Sequence, residues 1–400
     1  MNKLVIIAPI VLLIIIGGIY LTYIQPSNKT PTTNTTPSGS TTTTGGTSQT
    51  TTTPPVTPTK TTKTIKYKTA SCIDSQGTGL EAYSMLIPSD WTFNGEINWI
   101  LDNPIMPATA HFSTQNANNT VEYEGLPNQS MFWTDNQLIQ YTNPLGSRYF
   151  GALVMQPLGA IDSLKQIVIP MYRGDVTNLK YISEGDVPEI AKLFPSGTDP
   201  TTGMSYSAEA GKVRIEYTLN GVAVEDEIYC VIQSIKTPVG QYANNNWFVS
   251  NIASFRAPKG KLDLYSNTLQ TIAFSSSINL QWLNKYNQLV YYLIRQQVKQ
   301  IQSIGQLSNM LSQMSDEISS ENQKAWEDRQ ATNDKLVDDF THGILGVDSY
   351  YDPIAEKTIE LPSGYNNAWT NSLGEYILAD SPSFNPNIGS NLNWQPMKTG

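Results

Sequence analysis

The apolar positions of this chain change their spacing several times, and each change marks a boundary. From Leu4 to Ile24 they are continuous, 21 residues without a charge. From Thr30 to Thr64 they nearly vanish. Between 66 and 276 they alternate in short runs bounded by Pro, Gly and Asn, as strands do. From Leu283 onward they recur at three- and four-residue steps, the period of a helix face. After 346 short alternating runs return.

At helical rise the first run spans roughly 30 Å, the thickness of a bilayer core. A cleaved signal peptide fits less well. The run exceeds the usual apolar region, its positive flank is only Lys3 and the N-terminus, and no small-residue cleavage site follows. Tyr20 and Tyr23 suit an interfacial belt, and Lys3 places everything after Tyr23 outside. No Cys follows for a lipid anchor. Residues 1–25 therefore read as a single-pass signal anchor that meets membrane lipid. Residues 26–65 are Thr-rich, with Pro31, Pro37, Pro54, Pro55 and Pro58 scattered through them. Such a tract has almost nothing to bury against the entropy of folding. It reads as an O-glycosylated stalk or as a bare linker. Candidate N-glycosylation sequons start at Asn28, Asn34, Asn118 and Asn128.

The segment 66–276 predicts mixed α and β structure. Ala82–Ile87, Glu96–Leu101, Ala108–Ser113 and Thr120–Glu124 read as strands. Lys212–Leu219 and Val222–Gln233 flank Asn220-Gly221, the strongest short hairpin signal, since both residues accept positive φ. A further strand holds Trp247, Val249 and Ile252, and helices are expected at Val187–Phe194 and Leu262–Ser275. Tyr83-x-x-x-Ile87-Pro88-x-x-Trp91, the late hairpin, a Trp-bearing strand, Phe255-Arg256-Ala257-Pro258 and the following helix occur in the order found in Mog1/PsbP-like domains, which this segment resembles. The insert 125–205 departs from that pattern. The resemblance implies an α/β/α sandwich around an antiparallel sheet, serving protein binding or assembly, and it carries over no catalytic residue.

In 277–345 the positions Leu283, Val290, Ile294, Val298, Ile301, Ile304, Leu311, Met314 and Ile318 form a candidate interface. They predict either a helical hairpin folded on its own sheet or a coiled-coil seam between copies of the chain. Ser319 to Phe340 reads as a second helix. Residues 346–400 read as a small β tail with a terminal hairpin, Asn367–Thr370 and Glu375–Leu378. This tail is similar to those of uncharacterised microbial surface proteins. Its aromatic residues, among them Tyr350, Tyr365, Trp369, Tyr376 and Trp394, form either a small core or a platform for carbohydrate or a partner.

Net charge is −9 and charged residues are 15%, which excludes a nucleic-acid partner that would require a basic face. Cys72 and Cys230 form either a disulfide or two buried thiols. The only histidines, His111 and His342, lie near no nucleophile motif, and both read as structural. Glu225 and Glu227 share a strand face expected to be solvated. No cofactor or metal site is expected. The whole reads as an α+β protein: membrane anchor, stalk, sandwich, helical hairpin or coiled coil, and β tail. The expected function is non-catalytic binding or assembly at the cell envelope, with a protein or surface polymer as partner. The alternatives are an envelope hydrolase using paired carboxylates and a structural spacer.

Overall fold

The computed structural model describes residues 63–316, Gln323 and residues 347–399. The apolar run, the Thr-rich tract, the sequons at Asn28 and Asn34, Ile318, the second helix through Phe340 and His342 lie outside the described residues. Among the described residues no helix is long and apolar enough to cross a membrane.

The fold is mixed α+β, built on an 11-stranded sheet that is antiparallel but for one pairing. Its strands are β3 (Thr92–Trp99), β4 (Ala108–Gln115), β5 (Glu122–Leu126), β6 (Gln129–Thr134), β7 (Ala152–Val154), β8 (Thr177–Asp186), β9 (Ser205–Leu219), β10 (Val222–Val239) and β11 (Tyr242–Pro258), with two-residue pairings at its margins. Asn220 and Gly221 both take positive φ, 51° and 82°. That is the turn that lets β9 pair with β10 from Leu219↔Val222 back to Ser205↔Lys236.

Each face of this sheet buries its own core. On one side Val213, Ile215, Tyr217, Ile228, Cys230 and Trp247 pack with Leu164, Val168 and Ile169. These last residues belong to a helical segment of three consecutive pieces, Ala160–Ser163, a π-turn at Leu164–Val168, and Ile169–Arg173. On the other side Phe112, Tyr123, Tyr229 and Phe255 meet α2 (Leu262–Phe274) and α3 (Leu280–Arg295). A second sheet contributes there through β1 (Thr64–Ile73) and β2 (Glu81–Pro88).

A bulge in β11 exchanges the two faces. Tyr229 pairs with Ala253 and Val231 with Ser250, so two residues oppose Cys230 alone. Asn251, at φ 52°, absorbs the kink. Trp247 and Val249 therefore face the 160–173 side while Phe255 faces the other.

The expected coiled coil is not continuous. α3 ends at Arg295, Gln297 takes φ 52°, and α4 (Ile304–Ser312) starts after Ser303 caps Gln306. Leu289, Leu293, Ile301, Leu307 and Leu311 form a cluster against Trp99 and Leu101 of the same chain. Lys285 donates to the carbonyls of Leu311 and Met314 at the end of α4. Of the candidate interface, Leu283, Val290, Ile301 and Leu311 are buried, and Val298 and Met314 pack on the cluster. Ile294 and Ile304 are exposed at 36% and 38%. An intramolecular core thus takes up most of the expected seam.

The tail is woven into the fold. β12 (Val347–Asp352) pairs with β13 (Lys357–Pro362), and β14 (Asn367–Thr370) with β15 (Glu375–Ala379). β15 then pairs with β1, Thr64↔Ala379 to Lys68↔Glu375. Tyr350 and Tyr376 are buried in the tail's core and Trp394 is buried beneath the Lys66 ammonium, so these three do not form an exposed platform. Asp352 accepts the Tyr376 hydroxyl at 2.7 Å within that core.

Candidate functional site

A buried concentration of charge lies on the 160–173 face of the large sheet, beyond the end of that helical segment. Strand alternation and the β11 bulge put Glu122 and Glu124 of β5, Ser254 and Arg256 of β11, Asp226 of β10, Tyr217 of β9 and His111 of β4 on this one face. Arg173 closes the helical segment above them.

Arg173 donates through Nε to Asp226 at 2.8 Å and through Nη2 to Glu124 at 2.7 Å and to Ser254 at 3.0 Å. Ser254 and Tyr217 donate to Asp226 at 2.7 and 3.2 Å. Arg256 holds Glu122 at 2.6 Å and donates to the Asn119 carbonyl at 3.3 Å. His111 lies 3.2 Å from Glu124 through Nε2 and 3.5 Å from Glu96 through Nδ1. Asp226 is fully buried, and the two arginines, Glu122 and Glu124 keep only a thin exposed edge. Burial at this depth strengthens each pairing and makes each unpaired charge expensive.

The two strand-mates Glu122 and Glu124 titrate in opposite directions. Burial pushes Glu122 up to about 7, against the pull of Arg256. Burial also acts to raise Glu124, but the His111 hydrogen bond and Arg173 outweigh it and hold the carboxyl down at about 2. His111 is raised chiefly by its bond to Glu124. Burial pushes Tyr217 up to about 12. Burial works against the charge on Arg173, while Asp226 and Glu124 hold its guanidinium protonated.

Two other buried carboxylates are tied differently. Asp74 accepts the indole N–H of Trp99 at 2.8 Å and of Trp282 at 2.9 Å, plus the amides of Gly77 and Thr78. That joins the β1–β2 loop to β3 and α3. Glu227 is not solvated as the strand pattern suggests. It is buried on the other sheet face, bound by Lys212 at 3.2 Å, by Arg214 at 2.9 Å and by the Tyr229 hydroxyl. Among the described residues no three side chains of His, Cys, Asp or Glu group to hold a metal ion.

The disulfide alternative is not realised. Cys72 and Cys230 are both free and buried, and they belong to the cores on opposite faces of the sheet. Of the two described sequons, Asn118 is exposed in the β4–β5 turn. Asn128 is buried, its side-chain oxygen accepting the Asn251 amide at 3.0 Å, so it has no room for a sugar. Arg173 was beyond sequence reasoning, because it enters the cluster from the insert. The acidic pair in β5 carried one readable signal: in Glu122-Tyr-Glu124 two carboxylates share a face whose next member is the core residue Leu126.

No protein-family model matches the sequence, and no curated protein matches it. Among solved structures the chain is similar to that titled "Crystal structure of LpqN involved in cell envelope biogenesis of Mycobacterium tuberculosis". The identity is 9%, the match covers 53% of this chain and 91% of that one, and the TM-score is 0.20. A likeness so slight carries no argument about activity.

Proposed function

We propose that the chain is a membrane-anchored, extracytoplasmic binding or assembly module of the cell envelope, not a catalyst. One observation carries the non-catalytic part. The charged groups on the sheet face are spent on one another, so that Glu124 and Asp226 share Arg173 and Glu122 holds Arg256. A catalytic acid or base must give up or take a proton from substrate, and we read Glu124 and Asp226, held by Arg173, as struts. The location rests on the 21-residue apolar run and the Thr-rich tract that follows it. A Mog1/PsbP-like sandwich is the fold we assign to the central segment. Supporting it are the antiparallel sheet with helices on both faces, Trp91 buried just after β2, and β11 ending at Pro258 before α2.

A hydrolase is the second reading, favoured by one observation. Glu122, poised near neutrality beside an ionised Glu124, has the divided pair of pKa values that acid–base catalysts use. One experiment separates the two readings. The purified chain is incubated with isolated cell-envelope material, and both co-sedimentation and release of soluble fragments are followed. Retention without release, unchanged in Glu122→Gln, supports the binding module. Release that Glu122→Gln abolishes replaces it with the hydrolase.

A further inference from the structure

The insert between β6 and β7 carries an apolar surface that no other part of the described chain covers. α1 (Gln137–Thr142) has no buried residue. Leu138, Tyr141 and Leu145 are exposed at 72%, 85% and 64%. Phe150, with φ at 49° ahead of Gly151, stands apart from this surface, since the Lys299 ammonium lies 5.7 Å over its ring. The tip of the β10–β11 hairpin lies alongside, because Asp135 and Ala243 exchange hydrogen bonds, and it adds exposed Val239 and Tyr242.

Many polar groups of this loop are bonded within it. Asn136 accepts from the Leu138 and Ile139 amides. Gln140 donates to the Thr134 carbonyl, and Thr142 and Asn143 to the Ile139 carbonyl. Ser147 donates to the Pro144 carbonyl and Arg148 to that of Gly151. From Asn136 to Ser147 there is no charged side chain. A loop that meets many of its own polar groups and shows Leu and Tyr outward suits the interface of a membrane.

We infer that this loop and the adjoining hairpin tip are a second membrane contact, inserting Leu138, Tyr141 and Leu145 into the interface of a lipid bilayer. The inference rests on the anchored reading above. The 38 residues from 25 to 62 reach at most about 130 Å in any conformation, so a bilayer holding residues 4–24 stays within range of the domain. Under that tether a weak contact acts at high effective concentration. Because the inserting stretch is uncharged, the contact should not require anionic lipid.

The test uses the full chain reconstituted in phosphatidylcholine vesicles and recovered by flotation. A polarity-sensitive dye is placed through Leu145→Cys or, as a reference, through Leu264→Cys on the exposed side of α2. Cys72 and Cys230 are buried and do not compete for the label. The expected result is a blue shift at Leu145, with at least twofold quenching by nitroxide-bearing lipid, and neither effect at Leu264. A dye placed through Val239→Cys should show the same shift and lose it in the combined variant Leu138→Asp, Tyr141→Asp and Leu145→Asp. A chain that floats while the Leu145 dye stays wet and unquenched overturns the second contact and leaves the anchor standing. A chain that fails to float overturns both.

Discussion

Glu122 and Glu124 are two residues apart on one strand face, and the fold spends them in opposite senses. Glu124 moves from 4.5 to about 2, so its stabilisation is complete above pH 4.5 and is lost as pH falls toward 2. That difference is worth about 3 kcal/mol. Glu122 moves from 4.5 to about 7, so the fold favours its neutral form, and stability is lost as pH rises from 4.5 to 7. His111 adds to the alkaline side, since its raised affinity for a proton is forfeited above 6.5. Stability should therefore peak near pH 5, read as the urea midpoint across pH 2–8. Glu122→Gln should flatten the fall between pH 5 and 8. Glu124→Gln should cost about 3 kcal/mol at pH 6 and almost nothing at pH 2. A midpoint that climbs steadily to pH 8 would refute this assignment. Asp74 has a different duty, as the single acceptor for two indoles. Asp74→Ala should cost about 3 kcal/mol and shift tryptophan fluorescence, since Trp99 and Trp282 lose their partner together.

At the scale of elements, what was legible was what local chemistry dictates. Asn220-Gly221 names its turn, because few residue pairs accept two positive φ values in succession. The alternations in β4, β9 and β15 name their buried faces. β11 hid a hint in plain view: Trp247 and Val249 share a parity that Ile252 breaks, and the break is the bulge at Asn251. The helical pattern after Leu283 was readable as helix, but its partner was not. A three–four spacing states that one face is apolar and leaves open what covers it. Here Trp99 and Leu101, nearly 200 positions earlier in the chain, share that role with α4. The ionic cluster was illegible for the same reason, since Arg173 joins β5 and β10 only through tertiary structure. The packing of α4 makes a sharp prediction. Leu311→Ala, in the cluster, should cost about 2–4 kcal/mol, whereas Ile304→Ala, on the exposed side, should stay within about 0.5 kcal/mol. Comparable losses in both, together with dissociation of an oligomer in light scattering, would restore the intermolecular seam.

For the whole molecule, the decisive pairing is that of β1 with β15. A strand from the start of the described fold lies between β2 and a strand from its end, and Lys66 meets Glu375 across the seam at 2.7 Å. Val347 joins the core formed by α2 and α3, while Tyr67 of β1 packs with Tyr376 and Leu378. Tail and sandwich thus bury apolar surface on one another, and the tail, whose cluster takes in Tyr67 and Leu86 of β1 and β2, has no independent core. They should unfold together. Calorimetry of the full chain should show a single transition covering the described region, with calorimetric and van't Hoff enthalpies in agreement. Reductant should leave that transition where it is, because Cys72 and Cys230 are separate free thiols, and both should resist labelling until urea opens the fold. Removing residues 367–399 would strip β1 of one neighbour and expose the five-residue edge Thr64–Lys68, a template for aggregation. The truncated chain should melt at least 10 °C lower or fail to stay soluble. A truncated form that keeps the parent transition would make the tail a separate unit and the β1–β15 ladder an incidental contact.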